Sequence, residues 1–126
     1  MDYQVTKEGG KTLIEGVPGV TFVATEQELL DFIVLCGAHA SDDDETAGDR
    51  ILLYDDNLPE EFYDLKTKVA RNYLQKLVNY RVKAAFVVGE ERVKGRFGEM
   101  VLESQRSRQA RFFTDREPAV SWLASD

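Results

Sequence analysis

The sequence predicts an α/β fold: one domain over residues 1–126, with a mixed, mainly parallel sheet behind an N-terminal hairpin. Three observations carry this. Short apolar runs at 51–54, 84–88 and 111–113 alternate with segments whose apolar residues recur at helical spacing, which is the mark of βαβ units. A Gly9-Gly10 pair separates two stretches of apolar–polar alternation, a hairpin signal. A chain of 126 residues can bury roughly two-thirds of its unfolded surface and leaves no room for a second domain.

The elements follow in order. Tyr3-Gln-Val5-Thr and Thr12-Leu13-Ile14 flank the paired glycines and form the hairpin, an antiparallel edge. Thr25-Glu-Gln-Glu28 reads as a capping box, with Thr25 as N-cap and Glu28 reaching back. It opens a helix that carries Leu29, Leu30, Phe32, Ile33 and Cys36 to about Gly37. Residues 41–49 are acidic and have nothing apolar to bury. Ile51 to Tyr54 suits a central strand covered on both faces. Asp64 is placed to cap the next helix, where Leu65, Val69, Tyr73, Leu74, Leu77 and Val78 share a face and Lys68, Asn72, Gln75 and Asn79 lie opposite.

Ala84 to Val88 is a second buried strand ending at Gly89. A third helix aligns Val93, Phe97, Met100, Val101 and Ser104, with Gly95 and Gly98 weakening its start. Arg111 to Phe113 is read as a third inner strand. Asp115 caps a last helix with Pro118 in its first turn and Val120, Trp122 and Leu123 facing inward. The order is ββαβαβαβα, with right-handed crossovers.

Hydrophobic residues at 43% and charged residues at 31%, with 3 prolines, describe a globular chain and exclude a disordered one. A single cysteine forbids an internal disulfide framework and points to a reducing, cytoplasmic location. No apolar run reaches the roughly 20 residues of a membrane span, and the acidic N-terminus is no signal peptide.

The net charge of −7 is unevenly spread. Residues 1–65 hold 16 acids and 3 bases, whereas residues 66–111 hold 12 bases and 4 acids. The two parts can neutralise one another within the fold or between copies, so a homo-oligomer is compatible with this pattern. An acidic protein is repelled by phosphate backbones, which argues against a nucleic-acid partner.

Few residues can carry chemistry. Cys36 and His39 lie three apart, but there is no second Cys or His to complete a zinc site, so no metal or cofactor is expected. As a nucleophilic dyad they would need mutual register and an oxyanion hole. No GxxxxGK[ST] or GxGxxG phosphate loop occurs, and no catalytic residue is assigned. Asp55, Asp56, Glu60, Glu61 and Asp64 cluster after the Tyr54 strand, where open α/β sheets bind ligands. Asp55, Asp56, Asp64 and Asn79 are therefore candidates for holding a cation or polar metabolite. Arg92, Lys94 and Arg96, with Arg106, Arg108 and Arg111, form the densest basic stretch and have few aromatics for base stacking. Thr67, between Lys66 and Lys68, falls in the first turn of the helix after a central strand, where a phosphate would be stabilised.

Two resemblances bear on these residues. Glu61-Phe-Tyr-Asp-Leu-Lys-Thr67, Leu74-Gln-Lys-Leu-Val-Asn-Tyr-Arg-Val-Lys83, Glu103-Ser-Gln-Arg-Ser-Arg-Gln109 and Asp115-Arg-Glu-Pro-Ala-Val-Ser-Trp-Leu123 resemble an uncharacterised bacterial family, domain of unknown function forty-one eighty. Members of that family usually carry glycines where this chain has Lys68 and Arg71. The element order is similar to that of STAS domains, the anti-sigma-factor-antagonist class. Those are small α/β domains that bind a kinase-like partner and are controlled by phosphorylation at the start of the helix after a central strand. Thr67 matches that place by position, although the class's Asp-Ser-Ser/Thr-Gly signature is absent.

The resulting expectation is a non-enzymatic, cytoplasmic regulatory domain that binds a protein partner. Its predicted surface comprises Asp55, Asp56, Asp64, Lys66, Lys68 and Asn79, with Thr67 as its switch. The alternative is a ligand- or cation-binding protein, or an enzyme, using the Asp55–Asp64 loop. Tyr80, which ends a helix just before a buried strand, is expected to support packing.

Overall fold

The computed structural model describes residues 3–37 and 50–125. In chain order the elements are β1 (Tyr3–Glu8), β2 (Lys11–Gly16), α1 (Glu26–Gly37), β3 (Arg50–Tyr54), α2 (Val69–Asn79), β4 (Lys83–Val87), α3 (Gly95–Ser104), β5 (Ala110–Phe113) and α4 (Arg116–Ala124). The connection from β3 to α2 is wound into 3₁₀ turns at Asp55–Asn57, Glu60–Tyr63 and Leu65–Thr67, and another at Glu90–Arg92 precedes α3.

Among the described residues the strands form one sheet in the order β1-β2-β3-β4-β5. β1 and β2 are antiparallel, with Glu8 opposite Lys11 across Gly9 and Gly10, both at positive φ. The other pairings are parallel. With the strands laid down in sequence order, α1, α2 and α3 pack on the same face of the sheet, sharing one core cluster. Side chains alternate between faces along each strand, so the core divides in two. Ile14, Ile51, Leu53, Ala84, Phe86 and Phe112 pack under those three helices. Leu13, Leu52 and Ala85 face α4 through Ala119, Val120 and Leu123.

β5 is thus an edge strand, not an inner one. Its open side is covered: the Phe112 N–H donates to Ser104 Oγ (3.3 Å), and its carbonyl accepts from Gln105 Nε2 (3.1 Å). Capping an exposed ladder in this way blunts edge-to-edge association.

Helix ends confirm some caps and move others. Thr25 Oγ1 accepts from the Glu28 N–H at 3.1 Å, but the Glu28 carboxylate reaches the Ala24 N–H, one residue earlier than the box predicts. Asp115 stands at the N-cap of α4 without a side-chain hydrogen bond. The C-terminal carbonyls of α4 are held by cations instead. Arg50 donates to Leu123 and Ser125, and Lys83 to Trp122 (2.7 Å) and Ser125 (3.0 Å). Positive charge there also opposes the helix dipole favourably.

Tyr80 does not support packing. Tyr80 is 55% exposed, and Arg81 is the left-handed residue (φ 56°) of a Schellman ending. In that ending the Val82 N–H donates to Leu77 O (2.9 Å) and the Arg81 N–H to Val78 O (3.1 Å).

The start of α2 departs from the sequence expectation. Asp64 caps the Leu65–Thr67 turn by accepting from the Lys66 N–H (3.1 Å), and the chain then passes through Lys68 at φ 64° before α2 begins at Val69. A side chain in this left-handed conformation costs about 1–2 kcal/mol, part of which glycine's larger unfolded entropy takes back. Lys68→Gly is therefore expected to raise stability by about 0.5 kcal/mol in urea denaturation. A loss of more than about 1 kcal/mol would show that the lysine side chain supports the turn. Arg71, by contrast, lies exposed inside α2, where the backbone makes no such demand.

Candidate functional site

The carboxyl end of β3 is a structural joint. The Asp55 carboxylate accepts from the Gly89 N–H (3.0 Å), tying the end of β3 to the segment after β4, and Arg92 Nε stands 3.6 Å from it. Asp56 is exposed.

Asn57 is fully buried and saturated. Its Oδ1 accepts from the Tyr54 N–H (2.8 Å), and its Nδ2 donates to Val17 O (2.7 Å) and Val20 O (2.8 Å). Its own carbonyl receives the Phe22 and Val23 N–H groups. A Cβ at Gly16 would lie 2.3 Å from Asn57 Oδ1, so the glycine makes room for this knot.

The structure does not bring the proposed ligand residues together. Asp55 faces Gly89, Asp64 is turned onto Lys66, and Asn79 sits in the last turn of α2 accepting from Gln75 Nε2. No group of three or more His, Cys, Asp or Glu stands together as metal ligands among the described residues. His39 and the Cys36 side chain lie outside the described residues.

Thr67 falls in the 3₁₀ turn rather than in the first turn of α2. Its Oγ1 is 2.7 Å from the carbonyls of both Glu61 and Asp64, and it accepts from the Val69 N–H (3.3 Å).

What forms beside the joint is a cleft of about 510 Å³. One wall is the segment 63–66, with Tyr63, Leu65 and Lys66. The other runs from Arg92 through Lys94 and Arg96 to Phe97. Arg92 organises the rim. Its guanidinium lies 4.0 Å from the centre of the Tyr63 ring and pairs with both Glu60 carboxylate oxygens (2.8 and 3.3 Å). Tyr63 in turn donates to Asp55 O (2.8 Å). Burial pushes the Tyr63 hydroxyl far above its ordinary value, while the Arg92 hydrogen bonds hold Glu60 below its own.

Sequence reasoning singled out Lys66 and the Arg92–Arg96 stretch but did not join them. Glu60, Tyr63 and Phe97 were missed as parts of one site.

A groove of about 740 Å³ continues from the cleft between α2 and α3. It shares Leu65 and Arg96 with the cleft and is floored by Leu74, Val78 and Met100. Lys68 is exposed beside its start.

On the α4 face a second polar cluster is structural. Glu15, 3% exposed, receives Arg116 in two hydrogen bonds (2.9 and 3.0 Å) and the Tyr54 hydroxyl at 2.5 Å. Burial pushes Glu15 up, but the bonds from Arg116 and Tyr54 outweigh it and hold the carboxyl below its usual value. Burial and the Glu15 charge push Tyr54 up to about 12. A carboxyl lowered in the fold stabilises above its unfolded pKa of about 4.3, and that contribution is lost as pH falls through the folded value. Stability should therefore fall below about pH 4.5 more steeply in the wild type than in Glu15→Gln, as read from urea midpoints. Parallel acid arms would show that Glu15 does not titrate in this way.

No described helix is long and apolar enough to cross a membrane. Comparison with curated proteins and with solved structures finds no match. A family model described as Domain of unknown function (DUF4180) matches residues 9–123, a span that takes in the sheet from β2 onward, the cleft and the groove. On that match the chain belongs to the DUF4180 family.

Proposed function

We propose that the protein is a non-enzymatic, cytoplasmic regulatory domain that binds a partner protein along the α2–α3 face. The observation that carries this reading is the continuity of cleft and groove. They meet at Leu65 and Arg96, so that cationic side chains at one end lead onto Leu74, Val78 and Met100. Val78 is exposed, as are Tyr80 beyond it and Leu102 on α3. An apolar floor with a charged rim is the anatomy of a protein-binding surface.

The resemblance to STAS domains supports the same face. In that class the start of the helix after a central strand carries the controlling Ser or Thr, a place that here falls in the 63–68 segment. The bonds that Thr67 makes within its turn favour a structural role for its hydroxyl, so the proposal rests on the cleft and not on a phosphorylation switch.

Native mass spectrometry of the tagged protein from its own cells tests this. The expected result is a complex with a second polypeptide that Val78→Glu abolishes. A small molecule or metal at stoichiometric mass, with no second polypeptide, would overturn the protein-binding reading. A complex indifferent to Val78→Glu would overturn the assignment of this face.

A further inference from the structure

We propose that the cleft takes the acidic side chains of a segment of the partner protein. This rests on the binding-domain reading above and adds the chemistry of the occupant. The cleft is lined by the cations Lys66, Arg92, Lys94 and Arg96 against the acids Asp64 and Glu91. Arg92 is held by Glu60, and the Asp64 carboxylate by the Lys66 backbone N–H. The side chains of Lys66, Lys94 and Arg96 make no ion pair or hydrogen bond with any described residue. Like charges gathered at one cleft repel one another, and a carboxylate entering between them relieves that repulsion.

The same features select the kind of anion. The chain is −7 overall, so a long phosphate backbone meets net repulsion from the protein as a whole. A short acidic segment does not. The groove beyond Leu65 and Arg96 carries Glu99 and Glu103 as well as Arg71, so it takes an apolar rather than an acidic side chain of that segment, against Leu74, Val78 and Met100.

Glu60 already shows the interaction within the molecule. Its exposed carboxylate grips Arg92 with both oxygens at the rim, in the forked geometry that guanidinium and carboxylate share. An incoming carboxylate competes with Glu60 for Arg92, and removing the Glu60 charge frees that guanidinium for the partner.

Fluorescence anisotropy with a short, labelled poly-L-glutamate peptide as the probe tests this at low salt. Saturable binding is expected, weakening as salt rises. Lys94→Glu with Arg96→Glu should weaken it about tenfold or more. Arg106→Glu with Arg108→Glu, beyond the other end of α3, should change it less than about twofold. Glu60→Gln should tighten it roughly threefold, a gain that misfolding cannot imitate.

The proposal is overturned if wild type fails to bind the probe, if both double variants weaken it equally, if Glu60→Gln weakens it, or if single-stranded DNA of matched charge binds more tightly. A native complex that Val78→Glu abolishes, together with no binding of polyglutamate, would overturn the acidic occupant and leave the binding-domain reading standing.

Discussion

Phe62→Ala is expected to lower the unfolding free energy by about 4 kcal/mol. The side chain is wholly buried although it sits on the short Glu60–Tyr63 turn. Its ring lies 5.6 Å from that of Tyr73, 5.8 Å from Phe86 and 6.2 Å from both Phe97 and Phe112. It therefore joins α2, β4, α3 and β5 at one point. Truncation leaves a void lined by aromatic rings, which pack in fixed geometries and cannot collapse into it cheaply. Phe62→Leu fills most of the space and should cost about 1–2 kcal/mol.

The consequence extends to the cleft. Phe62 anchors the turn that carries Glu60 and Tyr63, so Phe62→Ala should also weaken polyglutamate binding while the protein remains folded. A loss below about 2 kcal/mol in urea denaturation would mean that the turn is not held from inside.

Asn57→Ala comes next, at about 3 kcal/mol. The truncation leaves the Tyr54 N–H and the carbonyls of Val17 and Val20 without the partners that Asn57 supplies. A buried polar group stripped of its partner costs about 1–3 kcal/mol, and water entering the space recovers some of the total. Asn57→Asp is nearly isosteric and separates the two halves of the amide. It keeps the acceptor for Tyr54 but turns a carboxylate oxygen toward two carbonyls, so it should be at least as destabilising. Thermal unfolding of both variants checks this. If Asn57→Asp proved the milder change, the two carbonyls could not be receiving a donor from residue 57.

The elements whose signals are local were legible in the sequence. The Gly9-Gly10 hairpin and the helix opened by Thr25 stand where backbone and capping chemistry place them. The amphipathic face of α2 follows from helical spacing, and β3 and β4 from their short continuous apolar runs.

The segment 55–67 was legible only in part. Its acids make it look like a solvated loop, and nothing local distinguishes Phe62 or Asn57, whose burial is decided by partners far along the chain. The start of α2 was read too early because Asp64 is a sound cap. The turn that it caps ends at Lys68, whose left-handed backbone separates that turn from the helix. The position of β5 at an edge depends on strand order, which periodicity does not encode.

The cleft was the least legible of all. It joins residues 63–66 to residues 91–97, and its organising pair, Glu60 and Arg92, stands 32 positions apart. The basic stretch gave half of that pattern and the Asp55–Asp64 loop the other half, but only the parallel pairing of β3 with β4 brings their ends together.

The measurement that tests the account most directly is amide chemical-shift mapping of the protein during titration with poly-L-glutamate. The predicted result is a saturable set of shifts confined to residues 60–67 and 90–97, while α2 and α4 stay still. Shifts centred on α4 or around Arg106 and Arg108, or spread evenly over every basic residue, would contradict it.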